Sequence, residues 1–109
     1  MQFLVQSSTR PDADPAAFVP YLTAEAAVAW RLHLDGFIRQ AYFAAPPAAP
    51  RAILVVEADN AAEVEDRLGA MPMRQAGLVS FEITPIGAFL PWTALFTGPE
   101  GAETSAATG

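Results

Sequence analysis

The feature that most constrains this chain is a single carboxylate in the stretch Leu22–Tyr42, LTAEAAVAWRLHLDGFIRQAY. The pattern predicts an amphipathic helix, a turn at Asp35-Gly36 and a returning strand. At about 100° per residue, Phe18, Tyr21, Leu22, Val28, Ala29 and Leu32 all fall within roughly 60° of Glu25. Arg31 and Asp35 occupy the opposite face, with Leu34 as an apolar exception. Glu25 therefore projects from the middle of the apolar stripe. A buried, unpaired carboxylate costs several kcal/mol or takes up a proton. Either Glu25 is paired with a cation or donor there, or it lines a pocket.

The rest of the chain builds around this helix. Met1–Gln6 reads as a first strand, followed by a polar connection from Ser7 to Asp14. Asp14-Pro15 suits the start of a helical turn. Pro20 limits how early the main helix begins, so the continuous helix is expected over Pro20–Leu34, with Gly36 as a left-handed cap. A strand over Phe37–Ala44 would place Phe37, Arg39, Ala41 and Phe43 on one side and Ile38, Gln40 and Tyr42 on the other. The proline-rich Ala45–Pro50 is a turn. Ala52–Ala58 is the most strand-like segment, and its unbroken apolar run suggests cover on both faces. Asn60 with Glu63 has the form of a capping box. Val64, Leu68 and Met71 follow at i, i+4 and i+7 of a short helix, which Pro72–Gly77 ends. Leu78–Ile86 is the last strand.

The order is βαββαβ, an α+β ferredoxin-like arrangement: an antiparallel sheet with two helices on one face. For a sheet covered on one face only, Phe37, Phe43 and the AILVV run leave excess apolar surface, which marks association. Phe89, Leu90, Trp92, Leu95 and Phe96 continue the apolar character past the last strand. They are expected to cover a partner subunit or the mouth of a cavity. One domain over residues 1–97 is expected, including an apolar extension at 87–97. The run 98–109, low in bulky apolar residues, is expected to be disordered.

Composition excludes several function classes. A net charge of −6 over 109 residues, with no lysine, argues against nucleic acid and anionic lipid. The absence of cysteine removes disulfides and zinc-thiolate sites. His33, the only histidine, cannot by itself build a metal cage, so no metal or other cofactor is expected. No segment approaches the roughly 18 apolar residues of a membrane span. There is no signal-peptide pattern. A soluble, cytoplasmic single domain is the resulting expectation.

Two stretches, taken with the strand order, resemble the muconolactone isomerase-like family. In the first, Glu25 precedes Gly36 by the family's interval, and a strand bearing Arg39 and Tyr42 follows. In the second, Leu68–Ile86, the ending Glu82-Ile83-Thr84-Pro85-Ile86 is similar to the family's E-V-T-P-L. Ala76–Val79 (AGLV) is closer to the related YCII-like domains. The histidine–aspartate dyad of those domains is replaced here by Glu25 and Met71. The resemblance implies the dimeric α/β barrel superfamily, in which two ferredoxin-like sheets pack face to face and each subunit holds a pocket between sheet and helices. It also implies a cofactor-free isomerase, a homodimer or larger homo-oligomer, that moves a proton on a small-molecule substrate, an unsaturated lactone or a related cyclic carbonyl compound.

On that reading Glu25 is the acid/base, since a carboxyl in an apolar pocket titrates nearer neutrality and suits proton transfer next to a carbonyl. The alternative is a structural glutamate paired with Arg39 or Arg31. His33, at the edge of the stripe, is a candidate second proton carrier, or else a group capping the helix C-terminus. Arg39 is a candidate holder of a substrate carboxylate or polariser of a carbonyl, or a salt-bridge partner. Tyr42 and Tyr21 are candidate pocket walls. Trp30 points away from the Glu25 face, Glu82 is expected to be solvated or interfacial, and Arg74 and Gln75 lie in a loop within reach of the pocket. A non-catalytic dimeric ligand-binding or accessory protein of the same fold is the alternative function. A cofactor-independent monooxygenase is a third, on fold analogy alone.

Overall fold

A computed structural model describes residues 1–96. The expected disordered run at 98–109 lies outside the described residues. Four strands, β1 (Gln2–Thr9), β2 (Ile38–Phe43), β3 (Ala52–Glu57) and β4 (Val79–Ile86), form one antiparallel sheet in the order β2-β3-β1-β4. Helices α1 (Leu22–Leu34), α2 (Ala61–Leu68) and the single turn α3 (Pro72–Gln75) complete the βαββαβ order, with 3-10 helices at Pro15–Tyr21 and Leu90–Leu95. No helix among the described residues is long and apolar enough to cross a membrane.

The helices start and stop where local chemistry dictates. Asp14 caps the first 3-10 helix by accepting from Ala16 N at 2.9 Å. That helix, carrying Pro20, takes the turn that was expected to open the main helix, so α1 begins at Leu22 instead of Pro20. At the other end Gly36 has φ +84°. Phe37 N donates to Leu32 O, and Gly36 N to His33 O, each at 3.0 Å. This is the Schellman pattern, completed by the buried apolar pair Leu32 and Phe37. At α2, Asn60 Oδ1 accepts from Glu63 N at 2.9 Å. The reciprocal bond of the box runs to Asp59 N, which donates to Glu63 Oε2 at 2.7 Å. Gly77, φ +74°, ends α3 with a second Schellman pair, Leu78 N to Met73 O and Gly77 N to Arg74 O.

The core lies between the helices and one face of the sheet. Phe3 and Val5 of β1, Leu54 and Val56 of β3 and Ile38 of β2 meet Leu32 of α1 and Val64 and Leu68 of α2. Two expectations for β2 are corrected. Phe37 precedes the strand and is 3% exposed, because the Schellman turn folds it into the core, where Arg67 lies 5.5 Å from its ring centre. The register shifts between Ile38 and Gln40, so Ile38 pairs with Val56 and Ala41 with Leu54. This bulge carries Arg39 out of the alternation and puts Ile38, Ala41 and Phe43 on the helix-facing side.

The other face of the sheet carries no helix. It presents Leu4, Ile53 and Val55, all half-buried, among Gln6, Gln40, Tyr42, Glu82 and Thr84. The AILVV run thus buries Leu54 and Val56 against the helices and leaves Ile53 and Val55 on the uncovered side. Beyond β4, every residue from Gly87 to Phe96 except Ala94 is exposed.

Candidate active site

Between α1 and the helix-facing side of the sheet lies a cavity of about 590 Å³, within the roughly 300–1,000 Å³ range of small-molecule sites. Leu22, Glu25, Ala26 and Ala29 form its helical wall, at i, i+3, i+4 and i+7. Ala41 and Phe43 of β2, Ala52 and Leu54 of β3, Ser7 and Thr9 of β1 and Val79 of β4 form the sheet wall. Met71 and Met73 close one side, and Phe18, Tyr42, Pro50 and Arg51 also border the space. Small side chains on both facing walls keep helix and strands from meeting there, so the space opens where the core ends.

Among the described residues Glu25 is the only carboxylate lining the cavity and Arg51 its only cation. Glu25 is half-buried, and its Oε1 accepts from Met73 N at 3.0 Å. Both halves of the sequence-based alternative are therefore met: the carboxylate has a donor and lines a pocket. The donor is neither Arg31 nor Arg39 but a main-chain N–H from α3. Ser7 Oγ accepts from Ala52 N at 2.8 Å, which ties β1 to the start of β3 at the cavity wall. Arg51 Nε donates to Gln6 Oε1 at 3.3 Å, and its Nη1 to Ala49 O at 3.5 Å.

The other sequence candidates are distributed more widely. Tyr42 borders the cavity, whereas Tyr21, at the end of the first 3-10 helix, does not. His33 stands at the exposed C-terminal end of α1, where Nδ1 donates to Ile38 O at 2.9 Å and the ring lies 5.3 Å from Trp30. It is outside the cavity wall, and its bond goes to the first carbonyl of β2, not to the last carbonyls of α1. Arg39 is likewise outside it. The bulge turns its side chain back so that Nε donates to Gly36 O at 2.6 Å. Its charge acts on Glu57, whose carboxyl is held below the usual carboxylate range. The main cause there is a hydrogen bond from the Met1 ammonium, and the charges of that ammonium and of Arg39 add to it against desolvation. Arg74 pairs with Glu65 at 3.2 Å, and Gln75 Nε2 donates to Gly69 O at 3.0 Å. Met71 and Met73 reach the cavity in their place. Sequence reasoning missed Arg51 and the Met73 N–H. Arg51 follows a proline-rich turn with no periodicity, and a main-chain donor leaves no side-chain signature.

No family profile matches the chain, and no curated protein does. Solved structures do. One is 5-chloro-2-hydroxyhydroquinone dehydrochlorinase from Burkholderia phenoliruptrix AC1100, in complex with 2,5-dihydroxybenzoquinone. It matches with a TM-score of 0.64 and 20% identity over 80% of this chain and 94% of that one. Another is muconolactone isomerase, with a TM-score of 0.61 and 22% identity over 81% of this chain and 90% of that one. Both belong to the muconolactone isomerase-like group of the dimeric α/β barrel superfamily, and this chain has their fold.

Proposed function

We propose that the chain is a small cofactor-free enzyme that moves a proton on an unsaturated lactone or a related cyclic carbonyl compound, with Glu25 as the acid/base. The observation that carries the reading is the placement of one carboxylate, Glu25, on the wall of a mostly apolar cavity. Its Oε1 accepts from Met73 N, and on this reading Oε2 is the atom that meets a ligand's acidic C–H.

In the proposed cycle Oε2 takes the proton from the carbon next to the carbonyl, and the C–H electron pair passes into a conjugated enolate. The same carboxyl then returns a proton at the far carbon of the conjugated system, so the double bond moves and no net proton is consumed. Negative charge develops on the carbonyl oxygen. The hydroxyls of Ser7 and Thr9 and the cation of Arg51 are the polar groups on the cavity wall suited to meet it. Arg51 takes the anion-holding role that the sequence pattern had suggested for Arg39. The apolar walls exclude water and hold the ring.

A second reading, a dimeric ligand-binding or accessory protein, draws on the preponderance of apolar lining around a single carboxylate. Proton NMR in deuterated water on a panel of unsaturated lactones separates the two. Deuterium enters the ring with the unmodified protein, and Glu25→Gln slows that exchange by roughly 10²–10⁴-fold, the usual worth of a positioned acid/base. Equal exchange by the two proteins refutes the role of Glu25. Tight binding of a lactone with no exchange favours the binding protein.

A further inference from the structure

The single turn α3 has little stability of its own, because one turn of helix does not repay the cost of starting it. Its first N–H groups also need acceptors from outside the turn. The cap residue Met71 supplies no side-chain acceptor, and Pro72 at the first position has no N–H to satisfy. The next donor, Met73 N, is taken by Glu25 Oε1 at 3.0 Å. Glu25 thus does for α3 what a capping side chain does for an ordinary helix, from 48 residues away. The carboxylate and the turn hold one another, so whatever fastens α3 also acts on Glu25.

The fastenings can be named. Gly77 and Leu78 close the C-terminal end of the turn through their bonds to Arg74 O and Met73 O. At the other end the chain arrives from α2 through Gly69, Ala70 and Met71, with Gly69 N donating to Glu65 O and Met71 N to Leu68 O, both at 3.0 Å. Gln75 spans this connection. Its Nε2 donates to Gly69 O at 3.0 Å, and its own N donates to Met71 O at 3.0 Å. One residue therefore closes the turn that carries Met73 and ties that turn back to the end of α2. The Arg74–Glu65 pair also runs from α3 to α2, at 3.2 Å, but Glu65 is 56% exposed, and such a pair is worth little and fades with salt. Gln75 is itself exposed and stands outside the cavity wall.

We propose that Gln75 is a positioning residue for Glu25. By tying α3 to the end of α2 it keeps the Met73 N–H on Oε1, so the proton in transit is carried on Oε2. Without the tie the turn loosens, the N–H leaves Oε1, and the carboxyl rotates among orientations of which only some face the ligand. Turnover then falls while binding of the ring is kept, because the apolar walls of α1, β2 and β3 are untouched. The proposal rests on the reading of Glu25 as the acid/base.

Two readouts test it, one of them independent of turnover. Isotopic labelling of methionine gives at most three amide signals, and Met71→Leu removes one to assign the others. In Gln75→Leu the Met73 amide should exchange with solvent about 2–10-fold faster, the worth of one hydrogen bond. Gln75→Lys, which keeps a donor, should restore the slow exchange. Deuterium uptake by α-angelica lactone should fall about tenfold at saturation in Gln75→Leu, with KM changed less than about twofold, and should recover in Gln75→Lys. Asn60→Ala, which weakens α2 without touching α3, should leave the Met73 amide and the saturated rate as they are. A Met73 amide that ignores Gln75→Leu overturns the proposal. So does a loss of rate that Asn60→Ala reproduces or that Gln75→Lys fails to repair. An amide that responds as expected in a protein that gives no deuterium uptake, even before substitution, instead overturns the reading of Glu25 and with it any catalytic role for Gln75.

Discussion

Gly77 holds α3 in the position from which Met73 N reaches Glu25, and replacing it tests how that position is maintained. Its φ of +74° lies in the left-handed region. A Cβ built there would meet no atom within 4 Å. Gly77→Ala therefore introduces no clash with a neighbour, and its cost is that of the backbone conformation alone, about 1–2 kcal/mol for a residue with a Cβ. For a domain of this size each kcal/mol lowers the melting temperature by roughly 4–8 °C, so a fall of about 4–16 °C is expected in a calorimetric or circular-dichroism melt. Gly77→Asn should lose less than Gly77→Ala, because asparagine tolerates the left-handed region. An unchanged melting temperature in Gly77→Ala would refute the strain argument. An Asn variant as damaged as the Ala variant would point to a steric cause that the open surroundings do not contain.

Two other perturbations follow from the same local chemistry. Asn60→Ala removes the acceptor for Glu63 N at the start of α2 and should cost about 0.5–2 kcal/mol in urea unfolding, with the denaturant slope unchanged. Glu57 is held below its ordinary value of 4.5, mainly by the hydrogen bond from the Met1 ammonium. Its folded-state pKa is depressed, so its contribution is complete above about pH 4.5 and disappears as pH falls through the lower folded-state value. Melts between pH 6 and pH 3 should therefore fall more steeply for the unmodified protein than for Glu57→Gln.

Much of the fold was legible because its signals are local. The Asp35-Gly36 stop, the Asn60–Glu63 box and the turn at Asp14-Pro15 each involve residues within five positions of one another, and each forms as the pattern predicts. The strand faces around Arg39 were not legible. A bulge inserts one residue without altering the alternation of residue types, so Arg39 reads as a pocket residue although its guanidinium returns to Gly36 O. Phe37 was misread for a related reason, since strand alternation and a buried residue after the cap give the same apolar letter. At the site, helical phase was enough to place Glu25 on the cavity side. Its partner was beyond reach, because the Met73 N–H lies 48 residues away and belongs to the main chain.

The position of the cavity follows from which residues do not fill it. Toward the Leu32 end of α1 the helix meets Phe3, Phe37, Ile38 and Val56, and the interface is closed. Toward its Leu22 end the helix offers Ala26 and Ala29, and the strands opposite offer Ala41 and Ala52. A core built for stability alone would place large aliphatic side chains at these facing positions, because interiors pack to crystal-like density and voids forfeit dispersion contacts. A carboxylate is the least suitable neighbour for such a core. Both departures fall on the same stretch of α1, and a main-chain donor from α3 orients the carboxylate instead of neutralising it. Local rules broken together at one place, while the rest of the domain obeys them, distinguish a site from a packing defect.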